Sequence, residues 1–387
     1  MLIEGKKRVQ RVPVRLKARR CQYEIIVGSG ILAALGEEAR RVSPTPARRV
    51  AVISNEKVFG LYGQGVMRSL RAAGFTPVHW LMGDGERHKN IRALESALAF
   101  LTDAGLERSD LVVALGGGVV GDLAGFAAAV YLRGLDYLQV PTTLLAQIDA
   151  SVGGKTAINL GAGKNLAGAF HQPRAVLIDT TTLRTLPRRE MTAGWCEAVK
   201  QGAAGSRPLF DKTYRFLKDA GKEASRDAGL DGLIAEQCAF KAGIVAGDER
   251  EDITLTHPRS RRILNFGHTT AHALESVTGY RRFRHGEAVG YGMLVAGEVS
   301  VRLGLLDRSE LELLRAAVRL CGRLPRAHDL DQEMILRALS HDKKRVGGQL
   351  KWVLLERLGR AIILDQREIT PRLLRASFRA ALSDPVS

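Results

Sequence analysis

Short apolar runs alternate with helix-period segments over the first half of the chain. Residues 49–54, 76–81, 111–115, 137–140 and 175–178 are apolar runs of strand length, while 65–73 and 91–104 repeat apolar residues along one helical face. Strands alternating with helices predict an open, mainly parallel sheet. Past Pro187 the strand pattern fades. Residues 194–202, 230–247, 269–278, 288–303 and 309–320 read as helices, with a late β pair at 350–355 and 361–364 and a polar loop at 222–229. The expected architecture is an α/β domain at residues 21–187 followed by a mostly α-helical domain at 188–387. Residues 1–20 precede both as an extension. Its Val12, Val14, Leu16 and Ala18 alternate with other residues, so its end suits a strand.

At 387 residues the chain exceeds one ordinary core, which agrees with two domains. Apolar residues make up 45% and charged ones 26%, a globular rather than disordered composition. No apolar stretch reaches the roughly 18 residues of a membrane span. The N-terminus has neither the apolar core nor the small-residue cleavage site of a secretory signal, and is poor in the serine of a transit peptide. Cys21, Cys196, Cys238 and Cys321 are widely spaced without a CxxC pair. They read as free thiols, so the expected location is the cytoplasm.

The net charge of +17 is uneven. Lys6, Lys7, Arg8, Arg11, Arg15, Lys17, Arg19 and Arg20 face one acid, Glu4, so the extension alone carries seven of those charges. A basic arm for nucleic acid is one reading. A solvated leader, with further Lys and Arg lining a cleft for a multiply anionic substrate, is the other. No aromatic residue lies in the arm to stack on bases, which favours the second reading and argues against a nucleic-acid partner.

Chemistry concentrates between Leu264 and Met293, LNFGHTTAHALESVTGYRRFRHGEAVGYGM, where three of the nine histidines fall within 18 residues. His268 and His272 are four apart on a predicted helix and so share a face, while His285 arrives from a His-Gly-Glu turn. Such a set suits a divalent metal site with open positions. Packed histidines and a helix cap are the competing reading.

A second locus lies in the first half. The run Asp110-Leu-Val-Val-Ala-Leu115 leads into Gly116-Gly-Gly-Val-Val-Gly121-Asp122 and then an Ala-rich helix. This is GxGxxG in strand–turn–helix context, where glycine lets backbone N–H groups approach a pyrophosphate. Its position deep in the chain departs from the usual Rossmann order. The polar stretches Asp84-Gly-Glu-Arg-His-Lys89 and Pro141-Thr142-Thr143 also follow apolar runs, and strand ends converge on one crevice in such sheets. Ser151-Val-Gly-Gly-Lys155-Thr and Gly163-Lys164-Asn165 add lysines suited to phosphate or carboxylate oxygens, outside a Walker A pattern.

The segment GGGVVGDLAGFAAAVYLRGLDYLQVPTTLLAQIDASVGGKTAINLGAGKNLAGAFHQP (Gly116–Pro173), with LNFGHTTAHALE and HGEAVGYGM, closely resembles the 3-dehydroquinate synthase family of sugar-phosphate cyclases. The likeness runs from about Tyr23 to Asp342–Lys344. It implies a Rossmann-like NAD-binding domain, a helical metal and substrate domain, and a site between them. It also implies NAD held by Asp84, Gly85, Glu86, Arg87, His88 and Lys89, by Gly118, Val119, Val120, Gly121 and Asp122, by Thr142, Thr143, Lys155 and Lys164, and by Thr182, Leu183, Arg184 and Thr185. The implied ligands of a Zn2+ or Co2+ ion are Glu197, His268 and His285, which turns His272 from the ion toward the substrate. Implied substrate contacts are Arg133, Asp149, Lys155, Asn165, Lys200, Lys241, Arg261 and Asn265, with one of Lys343 and Lys344. A homodimer is implied as well.

The substrate that the resemblance implies is 3-deoxy-D-arabino-heptulosonate 7-phosphate, whose phosphate and carboxylate suit a cleft rich in Lys and Arg. The implied course is transient oxidation by NAD, loss of phosphate, reduction by the same cofactor, ring opening and an aldol closure to 3-dehydroquinate. His272 is the expected acid/base or charge-stabilising group. Two enzyme alternatives are another sugar-phosphate cyclase and a metal-dependent NAD polyol dehydrogenase. Lys155, Lys164, Asn165, Lys200, Lys241, Arg261, Asn265 and His272 together favour the synthase. The sequence departs from the family pattern in extra residues at 253–260, Cys196 before Glu197, Gln201 for a frequent tyrosine, and Thr270-Ala271 for Phe-Gly. Cys196 is expected to be a buried, inert thiol rather than a metal donor.

Overall fold

The structure is a computed structural model, and it describes residues 21–43, 47–219, 229–252, 255, 257, 260–343 and 350–383, with side chains omitted at 340–343. The expected strand at 12–18, most of the loop at 222–229, much of 253–260, and the side chains of Lys343 and Lys344 lie outside this description.

Six strands form one parallel sheet: β1 (Glu24–Gly28), β2 (Arg49–Asn55), β3 (Thr76–Met82), β4 (Leu111–Gly116), β5 (Asp136–Pro141) and β8 (Ala175–Asp179), in the order β1-β8-β5-β4-β2-β3. β4 is buried throughout, as a central strand covered on both faces requires. Helices α1 (Leu35–Val42) and α3 (Gln64–Ala72) pack near one face, with Leu35, Val66 and Leu70 against Val50, Val52 and Val113. A single turn, α2 (Glu56–Val58), runs through a π-helical bulge into α3. Helices α4 (Ile91–Asp103) and α5 (Gly118–Val130) cover the other face through Leu94, Leu101, Leu123 and Ala127.

The alternating pattern thus gave the sheet, but it missed a hairpin. The segments that carry Lys155, Lys164 and Asn165 form β6 (Lys155–Leu160) and β7 (Gly163–Phe170), paired antiparallel and laid against α5. The close fit needs the small residues of α5, since a Cβ at Gly125 would meet Thr156 at 2.5 Å. Their short alternation and two-residue connection carry a weak period signal, because much of the hairpin is exposed.

Helices dominate the remainder: α6 (Arg188–Gly205), α7 (Arg207–Asp219), α8 (Leu230–Gly247), α9 (His268–Val277), α10 (His285–Arg302), α11 (Arg308–Cys321), α12 (Gln332–Lys343) and α13 (Pro371–Leu382). The expected late pair appears as β9 (Lys351–Arg357) and β10 (Arg360–Asp365). Helix α10 is the axis of this half. It is buried from Gly286 to Ser300 and packs on α6, α9 and α13, which explains an apolar pattern that runs all round it. His285 is its first residue, so the expected His-Gly-Glu turn is instead the opening of that helix. No helix among the described residues is long and apolar enough to cross a membrane.

Candidate active site

Three helices bring the metal-type side chains together. Glu197 lies in α6, His268 opens α9 and His285 opens α10. Their approach depends on glycine. A Cβ at Gly286 would sit 2.0 Å from the Ala193 carbonyl oxygen, which would push α10 off α6 beside His285. Gly267 caps α9 at φ 80°, a conformation that strains other residues, and a Cβ at Gly292 would meet its carbonyl at 2.0 Å.

The Nε2 atoms of His268 and His285 are 3.3 Å apart. The Glu197 Oε1 atom lies 3.7 Å from His285 Nε2 and 4.0 Å from His268 Nε2. All three ligand atoms fall within 4.8 Å of one another. A four-coordinate ion bound at roughly 2.0–2.1 Å sets its ligand atoms about 3.3 Å apart, so the spacing fits. Glu197 Oε1 is buried without a hydrogen-bond donor, and Oε2 lies 2.5 Å from the Lys200 Nζ atom. Lys200 balances one oxygen and leaves Oε1 unsatisfied beside the two imidazoles, and the set fits a divalent ion. Burial raises the Glu197 pKa; Lys200 opposes this and the nearby Asp149 reinforces it.

The outer nitrogens are occupied. His285 Nδ1 meets Glu275 Oε2 at 3.3 Å, and Lys164 Nζ donates to Glu275 Oε1 at 3.0 Å. His268 Nδ1 faces the Phe266 carbonyl at 3.3 Å. Nδ1 of both rings is thereby engaged, leaving each Nε2 for a common point. Burial works to lower the His285 pKa, but the Glu275 hydrogen bond and charge outweigh it and the net shift is upward. Burial together with Lys200 and His285 holds His268 well below the usual histidine range. Glu275 is drawn to about 2, since His285 and Lys164 overcome its burial. Sequence reading did not single out Glu275. Its signal was there: it stands seven residues after His268 and three after His272, on the same helical face. His272 stays beside the group, its ring centroid 5.6 Å from His268 and 6.1 Å from His285, outside the three-ligand set.

A cationic wall continues from Glu197. Lys200 Nζ also contacts Asp149 Oδ2 at 3.3 Å, and Lys241 donates to the Asp149 carbonyl at 2.6 Å and to its Oδ1. Asp149 is buried, yet the two lysines hold it well below the usual carboxylate range. Burial lowers Lys241 despite that partner, while Lys200, facing two carboxylates, is raised against its burial. Arg261 is 2% exposed and donates to the carbonyls of Gly153 and Glu249. Glu251 binds Lys155 and accepts from Asn265 Nδ2 at 2.8 Å. Sequence reading missed Glu251, which lies beside the added loop where spacing carries little information.

The opposite wall is backbone. Gly117 precedes α5, and the first intrahelical bond runs from Gly121 N to Gly117 O. The N–H groups of Gly118, Val119 and Val120 are therefore left for an anion at the helix start. Asp84, Gly85, Glu86, Asp122, Thr142, Thr143 and Thr185 border the same space. Lys89 is buried and spent on Asp122 at 2.7 Å and Asn165 at 2.6 Å. Asn165 stands at φ 54° in the hairpin, a conformation asparagine tolerates.

Both walls enclose one cleft of about 1570 Å3, lined by the glycine turn, Lys155, Lys164, Asn165, Lys200, Lys241, Arg261, Asn265, His268, His272 and His285. Glu197 lies just behind it. Several expected contacts do not face this space: Arg87, His88, Gly121, Thr182, Leu183, Arg184 and Arg133. Gly121 packs on Gln139, and the Thr182 hydroxyl donates to the Asp179 carbonyl and accepts from Gln147. Arg133 is exposed beyond the C-terminus of α5. The 13 residues of that helix put it roughly 20 Å from the glycine turn.

Known proteins share this sequence and fold. The family model for 3-dehydroquinate synthase N-terminal matches residues 79–193, and that for 3-dehydroquinate synthase C-terminal matches residues 194–345. A 3-dehydroquinate synthase of Pelotomaculum thermopropionicum is 45% identical over 351 residues, covering 88% of this chain and 90% of that protein. A 2-epi-5-epi-valiolone synthase from Streptomyces hygroscopicus subsp. jinggangensis 5008, solved with NAD+ and Zn2+ bound, superposes with a TM-score of 0.82 at 26% identity, covering 96% of this chain and 99% of that one. A 2-deoxy-scyllo-inosose synthase complexed with carbaglucose-6-phosphate, NAD+ and Co2+ has a TM-score of 0.78 at 24% identity, over 92% of this chain and 96% of that one, and shows the shared fold.

Proposed function

The chain belongs to the 3-dehydroquinate synthase family, and from that premise we propose that it converts 3-deoxy-D-arabino-heptulosonate 7-phosphate to 3-dehydroquinate and phosphate in this cleft. The observation that carries the reading is the trio Glu197, His268 and His285 facing a glycine turn across a lysine- and arginine-lined space.

In this reading the trio holds a divalent ion, and the N–H groups of Gly118, Val119 and Val120 hold the pyrophosphate of NAD, with Thr142, Thr143 and Asp84 beside it. When bound, NAD takes up and returns a hydride, and the ion acidifies the hydroxyl that is oxidised. Lys155, Asn165, Arg261 and Asn265 bind the anionic groups of the substrate. Glu251 leaves Lys155 and Asn265 as those anions arrive. Asp149 fixes Lys200 and Lys241 so that both ammonium groups face the cleft without repelling each other apart. Lys200 also opposes the upward shift that burial imposes on the Glu197 pKa. Glu275 holds the His285 ring, and the His272 imidazole exchanges a proton with the substrate during elimination or ring opening.

Residues 21–187 and 188–387 act as two domains closing on the substrate, a division supported by the concentration of cleft residues on either side of Arg188. Assembly as a homodimer and residence in the cytoplasm belong to the same reading and rest on the family resemblance and the unpaired cysteines. Incubating the purified protein with the heptulosonate phosphate, catalytic NAD and Zn2+ tests it. The expected result is stoichiometric phosphate and 3-dehydroquinate, identified by mass and NMR, without net NADH. Accumulating NADH without phosphate release would make it a polyol dehydrogenase, and a different carbocycle another cyclase.

A further inference from the structure

A second cavity, of about 1030 Å3, lies behind the cleft, between the start of α6, the end of α7, the start of α8 and the loop after α11. Its floor is apolar: Met191, Trp195, Phe216, Leu217, Leu230 and Leu324. Trp195 and Phe216 form a tilted aromatic pair with centroids 5.4 Å apart. Its rim holds Arg184, Arg188, Arg189, Arg323 and Arg326, and among the described residues no carboxylate lines it. With Arg189 held by Glu287, an apolar aromatic floor beneath the guanidinium groups of Arg188, Arg323 and Arg326 is complementary to a flat ring that carries an anion.

We propose that this cavity binds a small aromatic carboxylate, its ring against Trp195 and Phe216 and its carboxylate on the Arg323–Arg326 rim. The site is wired to the cleft. Leu186, Arg188 and Arg189 border both cavities. Arg189 donates to both oxygens of buried Glu287, at 2.8 and 2.6 Å, and Glu287 in turn accepts from Arg284 N, closing the first turn of α10 at His285. A ligand that shifts Arg189 therefore shifts the helix end that presents His285. The inference concerns binding and stands whether or not the proposed reaction is correct.

The probe is 3-phenylpropanoate, with its neutral amide as the comparison, added to the full-length protein while tryptophan fluorescence is read. Trp195 is one of three tryptophans, and Trp195→Phe identifies its share of the signal. Saturable quenching by the acid, weakened about tenfold in the amide and in Arg323→Ala/Arg326→Ala, is expected. The double variant keeps its turnover, since neither arginine borders the cleft. Equal binding of acid and amide, unchanged affinity in the double variant, displacement of the probe by inorganic phosphate at the catalytic cleft, or no saturation would each overturn the proposal. A circular dichroism spectrum matching the parent confirms that the variants are folded.

Discussion

The two walls of the cleft are built by opposite means. The α5 wall offers backbone N–H groups at one helix start, all set by a single stretch of chain from Gly116 to Asp122. The opposite wall offers side chains from three helices, with Glu197, His268 and His285 spanning 89 residues of sequence. A backbone site needs only a permissive local sequence, and it tolerates changes elsewhere. A side-chain site needs three helices to cross at fixed places, and it inherits every packing error among them. The two walls should therefore fail independently when altered.

The largest effect is expected on the side-chain wall. Glu197→Ala or His285→Ala should lower turnover by at least about 10³-fold with loss of bound metal, while NAD affinity stays near that of the parent. Full activity in a metal-free variant would remove the trio from the chemistry. Next comes the backbone wall. A Cβ at Gly118 would approach Ala150 at 3.2 Å, and a branched side chain there projects into the cleft. Gly118→Val should weaken NAD by on the order of 10- to 100-fold and leave metal content unchanged. If metal is lost as well, the walls are one cooperative unit and the contrast is wrong.

Arg261 tests the anion-binding part of the side-chain wall. Arg261→Ala should raise the substrate KM by about 10- to 100-fold and alter NAD affinity much less. A weakened NAD with an unchanged substrate KM would place the residue on the other wall.

The smallest effect concerns packing behind the cleft. Burial pushes the Cys238 thiol from its ordinary 9.0 up to about 12. Between those values the folded chain binds one proton more than the unfolded chain, so this contribution to stability is full below pH 9 and is lost as pH rises toward 12. Cys238→Ala should flatten the decline of the melting temperature in that window. An unchanged slope would show that the thiol is not the group responsible.

The alternation of apolar runs and helical periods determined the parallel sheet and the helical second half, because burial on both faces of β4 or all round α10 leaves a local hydrophobic signature. The glycine turn was equally legible, since its function resides in the backbone of consecutive residues. The His268 and His285 motifs were visible as well, but spacing alone set His272 beside His268, and only the likeness to a family put Glu197 there. Tertiary structure decided the rest. It placed Glu197 against the two imidazoles through the glycine contacts of α6, α9 and α10. It tied Lys89 to Asp122 and Asn165 within the cleft wall, recruited Glu251 and Glu275, and left Arg133 at the far end of α5. These outcomes depend on which helices meet and at what distance, which is a property of packing between remote segments and leaves no period in the sequence that encodes it.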